Sequence, residues 1–271
     1  LDKYHLKINS GQKLNHIQDM QLDSDGHIWI SDNGLYGFDD LFNNVSYVGQ
    51  SQQQKLFNHI TDLQTNSKGD IYLFNGESFS VIQVSAEDGT MKVFSLPLDQ
   101  IPTDSILTSK MLIDQNNQVY INLGRCQYAV FNARGKYLKN FKSALKCGKY
   151  HTIDLVTHSG GTLFWKEKDD TITLEEYQGN TSQVLKTITK DSNGHWLNRV
   201  SDLVTDKKGR LIASGDRSEG FRKQDQIIYV FDENGSPLST FPVNDYVSSL
   251  TFSGNYIYLN FSNEQKIHYR P

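Results

Sequence analysis

Six stretches of this chain share one pattern: a short alternating apolar run, a polar turn and a second run. They read QDMQLDSDGHIWIS from residue 18, TDLQTNSKGDIYLF from 61, SKMLIDQNNQVYIN from 109, IDLVTHSGGTLFWK from 153, SDLVTDKKGRLIAS from 201 and SSLTFSGNYIYLN from 248. The corresponding positions Asp19, Asp62, Lys110, Asp154, Asp202 and Ser249 stand 43, 48, 44, 48 and 47 residues apart. Self-similarity at this period points to propeller blades, because each unit is one small sheet that buries its faces only against its neighbours.

Each copy continues with two more strand-like runs. In the fifth, Gln226 to Asp232 passes through Glu233-Asn234-Gly235 into Pro237 to Phe241. In the third, Tyr128 to Asn132 passes through Ala133-Arg134-Gly135 into Tyr137 to Phe141. A unit is therefore four antiparallel strands joined by hairpins. The sixth copy stops after Gln265 to Tyr269 without a fourth strand, and Tyr4 to Ile8 at the other end alternates as a strand. The pattern predicts an all-β fold: a single six-bladed propeller over residues 1–271, its last blade closed by the N-terminal strand, which removes the open edge of a linear array. Helices are expected only as single turns in loops such as 38–43 and 99–105.

The chain of 271 residues is 37% hydrophobic and 11% aromatic, a globular and strand-like balance. No apolar run approaches the roughly 18 residues of a membrane span, and no signal peptide is evident at the start, so one is expected to be absent or already removed. The net charge of −4 with interspersed signs offers no field for nucleic acid. Only residues 133–153 break this mixture, with Arg134, Lys136, Lys139, Lys142, Lys146 and Lys149 and no acid. Lysines on an exposed edge strand, which discourage edge-to-edge pairing, account for them; a patch for a polyanion is the alternative.

The two cysteines, Cys126 and Cys147, fall at the two ends of the third unit's outer hairpin. A bridge there is sterically reasonable, would close a loop of about 20 residues worth roughly 3 kcal/mol, and would imply an oxidising compartment. Two buried thiols are the other outcome.

The position three residues ahead of each repeat register leads into the innermost strand, and its occupants are His16, His59, Leu107, His151, Arg199 and Tyr246. Three histidines at one equivalent position suit a borderline cation, Zn²⁺ or Mn²⁺, with Arg199 and Tyr246 placed to stabilise an oxyanion and move a proton. Channel-lining histidines that bind a polar ligand, or a turn sequence repeated by descent, fit the same residues. A second set lies in the loops between second and third strands, among them Asp32, Arg125, Asp216 and Arg217; such mixed-charge loops suit hydrogen-bonded recognition of a carbohydrate or peptide. A nucleotide-binding glycine loop and a hydrolase nucleophile elbow are both missing from the sequence. Asp23-Ser24-Asp25-Gly26 lacks the later acid of a calcium loop and reads as a hairpin turn.

Asn15-His16-Ile17, Asp23 to Ile30 and Gly34-Leu35-Tyr36 resemble the two-component regulator propeller repeat, as do Asn198-Arg199-Val200 and Asp206 to Gly209. Ile228 to Phe241 and Ala129 to Phe141 are similar to the NHL repeat. The first resemblance implies an extracytoplasmic sensing domain, periplasmic or secreted, tethered to a membrane protein through segments outside this chain. The second implies a binding module or scaffold, or, in a minority, a metal-dependent lyase with histidine ligands in the channel. Together they predict a propeller that binds a small polar ligand, a glycan or a protein, with a metal-dependent lyase or hydrolase and a structural scaffold as alternatives.

Overall fold

A computed structural model describes residues 2–4, 14, 17–23, 25–39, 43–48, 54–97, 110–114, 116–123, 127–142, 153–158, 161–168, 171–178, 181–200, 202–205, 209–216, 226–243, 247–253, 256–261 and 266–270. Their strands form six four-stranded antiparallel sheets. The first five each take four consecutive strands; the first, for example, is Asp19–Leu22, Ile28–Ser31, Leu35–Phe38 and Asn44–Val48. The remaining sheet combines Val247–Ser253, Tyr256–Phe261 and Lys266–Arg270 with the N-terminal strand Asp2–Tyr4, which pairs Asp2 with Tyr269 and Tyr4 with Ile267. Of the expected strand Tyr4 to Ile8, Tyr4 lies in this pairing and residues 5–8 are outside those described. Among the described residues the one helical turn is Gln54–Phe57; residues 40–42 and 99–105, in the loops where single turns are expected, lie outside those described.

One turn chemistry recurs through the repeats. Asp23, Asn66, Asp114, Asn132 and Asp232 each accept, through Oδ1, the backbone N–H groups two and four residues on, at 2.6–3.0 Å. The side chain thereby replaces a missing backbone acceptor and fixes the turn. The residue three places on is left-handed in each, a glycine except at Asn117.

Aromatic and aliphatic side chains from successive sheets interdigitate. Tyr72, Phe74 and Leu96 of the second sheet pack with Met111, Ile121 and Phe131 around the third. Similar buried clusters join the first and second sheets, the fourth and fifth, the fifth and sixth, and the sixth and first, the last through Tyr258. Gly135 shows how close this packing is: its φ is +75°, and a Cβ there would lie 2.4 Å from Cγ of Phe94 in the neighbouring sheet. Gly135→Ala is expected to lower stability by about 2–4 kcal/mol, left-handed strain adding to overpacking. A urea midpoint unchanged at constant slope would contradict it.

Of the basic stretch, Arg134, Lys136 and Lys139 are exposed, on the outermost strand Tyr137–Lys142 of the third sheet and in the turn before it. The edge-strand interpretation suits these three; Lys146 and Lys149 lie outside the described residues, as do Cys126 and Cys147 and the bridge expected between them.

Candidate functional site

Four of the repeat register positions, Asp19, Asp62, Lys110 and Asp202, line one cavity. Asp19 Oδ2 accepts the N–H of Leu63 at 2.8 Å, Asp62 accepts that of Met111, and Asp202 Oδ2 accepts that of Leu250 at 2.9 Å. In each case the donor is the residue after the register position of the next sheet. The carboxylate therefore latches one innermost strand to its neighbour, which explains why the repeat carries aspartate there. Lys110 has no acceptor to offer; its Nζ instead donates to Asp202 Oδ1 at 2.6 Å, crossing from the third sheet to the fifth.

These four side chains line a cavity of about 30 Å³, enough for one or two waters by the usual threshold. About a third of the Lys110 side chain is exposed, and Lys110 lines this cavity. Burial and the charge of Asp19 push the Asp62 carboxyl well above the usual carboxylate range. Burial raises Asp19 too, against the opposing pull of Lys110. Lys110 is held above the ordinary lysine value because Asp202, Asp62 and Asp19 together outweigh its own desolvation. Two residues along each strand, Thr251 Oγ1 donates to Gln21 Oε1 at 2.7 Å and Gln21 Nε2 to Gln64 Oε1 at 3.3 Å, a polar layer that ties the sixth, first and second sheets.

Antiparallel alternation places the segments leading into the innermost strands on the same face as the loops between second and third strands. His59 and Arg199 occupy equivalent lead-in positions on that face. Both are left-handed, with φ of 60° and 41°. His59 Nε2 lies 3.2 Å from Glu77 Oε2, and Arg199 Nη1 3.5 Å from Asp216 Oδ2, each acid coming from the adjoining loop of the same sheet. Backbone bonds from Gly76 N to His59 O and from Asp216 N to Asn198 O hold loop and lead-in together. In the fifth sheet this approach needs a glycine, since a Cβ on Gly215 would stand 2.7 Å from the Asn198 carbonyl oxygen.

The two faces treat left-handed positions differently. On the opposite face, Gly26, Gly69, Gly89, Gly135, Gly209 and Gly235 take them, with Asn117 alongside. Among the described residues, on the lead-in side they fall to Asn33, His59, Phe79 and Arg199, and to Gly194 in the connection between the fourth and fifth sheets. Phe79 packs against a buried cluster. His59 and Arg199 gain no such burial, their side chains being 63% and 77% exposed.

Of the residues singled out in the sequence, the structure therefore places His59, Arg199 and Asp216 on one rim. Asp32, in the equivalent loop of the first sheet, is buried; its N–H donates to the Gly34 carbonyl, and its Oδ1 accepts from Asn33 Nδ2 at 3.3 Å. His16, His151, Tyr246, Arg125 and Arg217 lie outside the described residues, so the expected three-histidine set is represented only by His59. Among the described residues no three His, Cys, Asp or Glu side chains form a group able to hold a metal ion. Sequence reasoning missed the central latch. Its signal was present, since Asp recurs at the register position with one Lys among its copies.

Residues 11–34 match the two component regulator propeller family. No curated protein matches the chain in sequence. Among solved structures it is similar to a catalytically inactive virginiamycin B lyase from Staphylococcus aureus with quinupristin, at 13% identity and TM-score 0.60 over 100% of this chain and 88% of that one. The chain is a β-propeller. A candidate exported protein from Bacteroides fragilis is similar at 12% identity and TM-score 0.54, over 95% and 83% of the two chains. A protein of unknown function from Bacteroides caccae is similar at 9% identity and TM-score 0.55, over 84% and 81%. At these identities the likeness is one of fold. No described helix is long and apolar enough to cross a membrane.

Proposed function

We propose that this propeller is an extracytoplasmic recognition module, a closed ring of six blades that binds a polar ligand or protein partner on the rim carrying His59, Glu77, Arg199 and Asp216. Ring closure is supported by the pairing of Asp2–Tyr4 with Lys266–Arg270 and by the Thr251–Gln21 bond between the last and first innermost strands. The observation that carries the binding role is the pair of large, exposed, left-handed side chains at equivalent positions. A non-glycine residue there costs about 1–2 kcal/mol, and neither His59 nor Arg199 offsets that by burial. Strain of this kind persists where a displayed side chain has a use. The regulator-propeller match at residues 11–34 and the similarity to a candidate exported protein support a place outside the cytoplasm and a sensor role.

His59→Gly and Arg199→Gly are expected to be more stable than the parent by about 0.5–1 kcal/mol, the relief of strain being partly offset by the greater freedom of glycine in the unfolded chain. Both are expected to lose the spots that the parent binds on glycan and peptide arrays. Arg199→Glu should lose them too while staying within about 0.5 kcal/mol of the parent, since an exposed ion pair contributes little. Arrays bound identically by parent and variants, or no spots bound by the parent, would reject the rim as a recognition surface.

A further inference from the structure

Between the fourth and fifth sheets the chain makes a small hairpin, residues 189–197, which the blade pattern does not require. Its turn, Asp191-Ser192-Asn193-Gly194-His195, repeats the chemistry of the blade turns: Asp191 Oδ1 accepts the N–H groups of Asn193 and His195 at 2.8 and 2.9 Å. Lys190 and Trp196 bridge its two arms, and Leu197 N donates to the Thr189 carbonyl at 3.0 Å. The hairpin is braced at both ends. Ser192 and Asn193 bond Thr240 Oγ1 on the outer strand of the fifth sheet at 2.7 and 2.9 Å, and Leu197 and Val200 are buried between the sheets.

On this rigid support Trp196 is turned outward and is 65% exposed. Lys190 Nζ lies 4.9 Å from the centre of its ring. Among the described residues Lys190 has no carboxylate partner, because the adjacent Asp191 carboxylate is turned into the hairpin, only 1% exposed. The turn that joins Lys190 to Trp196 carries Ser192, Asn193 and His195, all exposed. A flat, electron-rich face suits the weakly positive C–H face of a pyranose ring, and an uncompensated ammonium held on that indole suits a carboxylate. A peptide side chain would instead call for a desolvated pocket to fill, and this indole is 65% exposed.

We propose that the hairpin of residues 189–197 is a binding platform for an acidic oligosaccharide, with Trp196 stacking on a sugar ring and Lys190 meeting the carboxylate of a uronate unit. The site is separate from the rim pairs and stands whether or not they bind a partner.

The test is calorimetric titration of the whole chain in about 0.1 M salt with three probes: tri-galacturonate, neutral galactotriose and tri-glutamate. Binding is expected to follow the order tri-galacturonate, then galactotriose, with tri-glutamate weakest. Trp196→Ala should weaken tri-galacturonate by at least tenfold and Trp196→Tyr by less, while Lys190→Gln should bring tri-galacturonate down to the level of galactotriose. Trp196 is exposed, so its replacement leaves the core packing in place, and circular dichroism together with the Trp196→Tyr variant checks the fold. Equal binding of tri-galacturonate and tri-glutamate, equal binding by parent and Trp196→Ala, or no saccharide binding by the parent would each overturn the proposal.

Discussion

Replacing Asp202 with alanine is expected to lower the unfolding free energy by about 2–4 kcal/mol. Two bonds disappear together, the latch to Leu250 N–H and the tie to Lys110 Nζ. Breaking a buried pair commonly costs about 3–5 kcal/mol because the remaining charge is left uncompensated. The figure is reduced here because Lys110 keeps about a third of its side chain exposed and Asp62 and Asp19 still attract it. Asp202→Asn retains an acceptor for Leu250 and should lose less. For a chain of this size the alanine variant should melt roughly 5–15 °C lower, at about 2–4 °C per kcal/mol. A melting temperature within 1–2 °C of the parent would show that Asp202 does not tie the innermost strands together.

The second large effect is a dependence of stability on pH. Asp62 is raised in the folded protein above its ordinary value of 3.8, by burial first and by the Asp19 charge next. The folded state therefore holds a proton that the unfolded chain has released. The associated stability is fully present below pH 3.8 and is lost as pH climbs through the raised folded value. Asp62→Asn keeps an oxygen for Met111 N–H and removes this titration, together with the charge beside Asp19. Its stability relative to the parent should rise with pH above about 4, with a slope of up to about 1.4 kcal/mol per pH unit while the site titrates. Urea unfolding of both proteins from pH 4 to pH 9 measures the difference directly. Asp19, Lys110 and Asp202 also face this site, and Asp19 is raised as well, so the parent's own curve is a composite; the difference between the two proteins isolates Asp62. A difference independent of pH would rule out the retained proton.

The two effects share one origin. Aspartate at the register position serves the backbone of the next sheet, and several such carboxylates on the innermost strands crowd one another. Lys110 relieves that crowding from a position where the repeat would otherwise supply another acid.

Much of this was legible in the chain. Asp23, Asn66, Asp114, Asn132 and Asp232 are followed at a fixed distance by Gly or Asn, and local bonds alone make that a turn, so the strands and their hairpins follow from short-range sequence. The sheets come out where the repeat puts them because each strand pairs with its sequence neighbour. The exception is Asp2–Tyr4, whose pairing with Lys266–Arg270 spans the whole chain. His59 and Arg199 were also recognisable as equivalent, since equivalence is a matter of spacing.

What each of them touches was not recognisable. Whether His59 turns to the axis or to Glu77 depends on a left-handed φ and on where the next loop falls, and Asp32, as polar as Asp216 in sequence, is buried where Asp216 is partly exposed. The latch from Asp19 to Leu63 joins residues 44 apart, and the tie from Lys110 to Asp202 joins residues 92 apart. The sequence by itself determined the turns, the strands and the repeat, all of which rest on contacts within a few residues. Only the tertiary structure decided the charge cluster and the display of Trp196, because burial and electrostatics depend on distances between groups that the chain brings together only when the sheets pack.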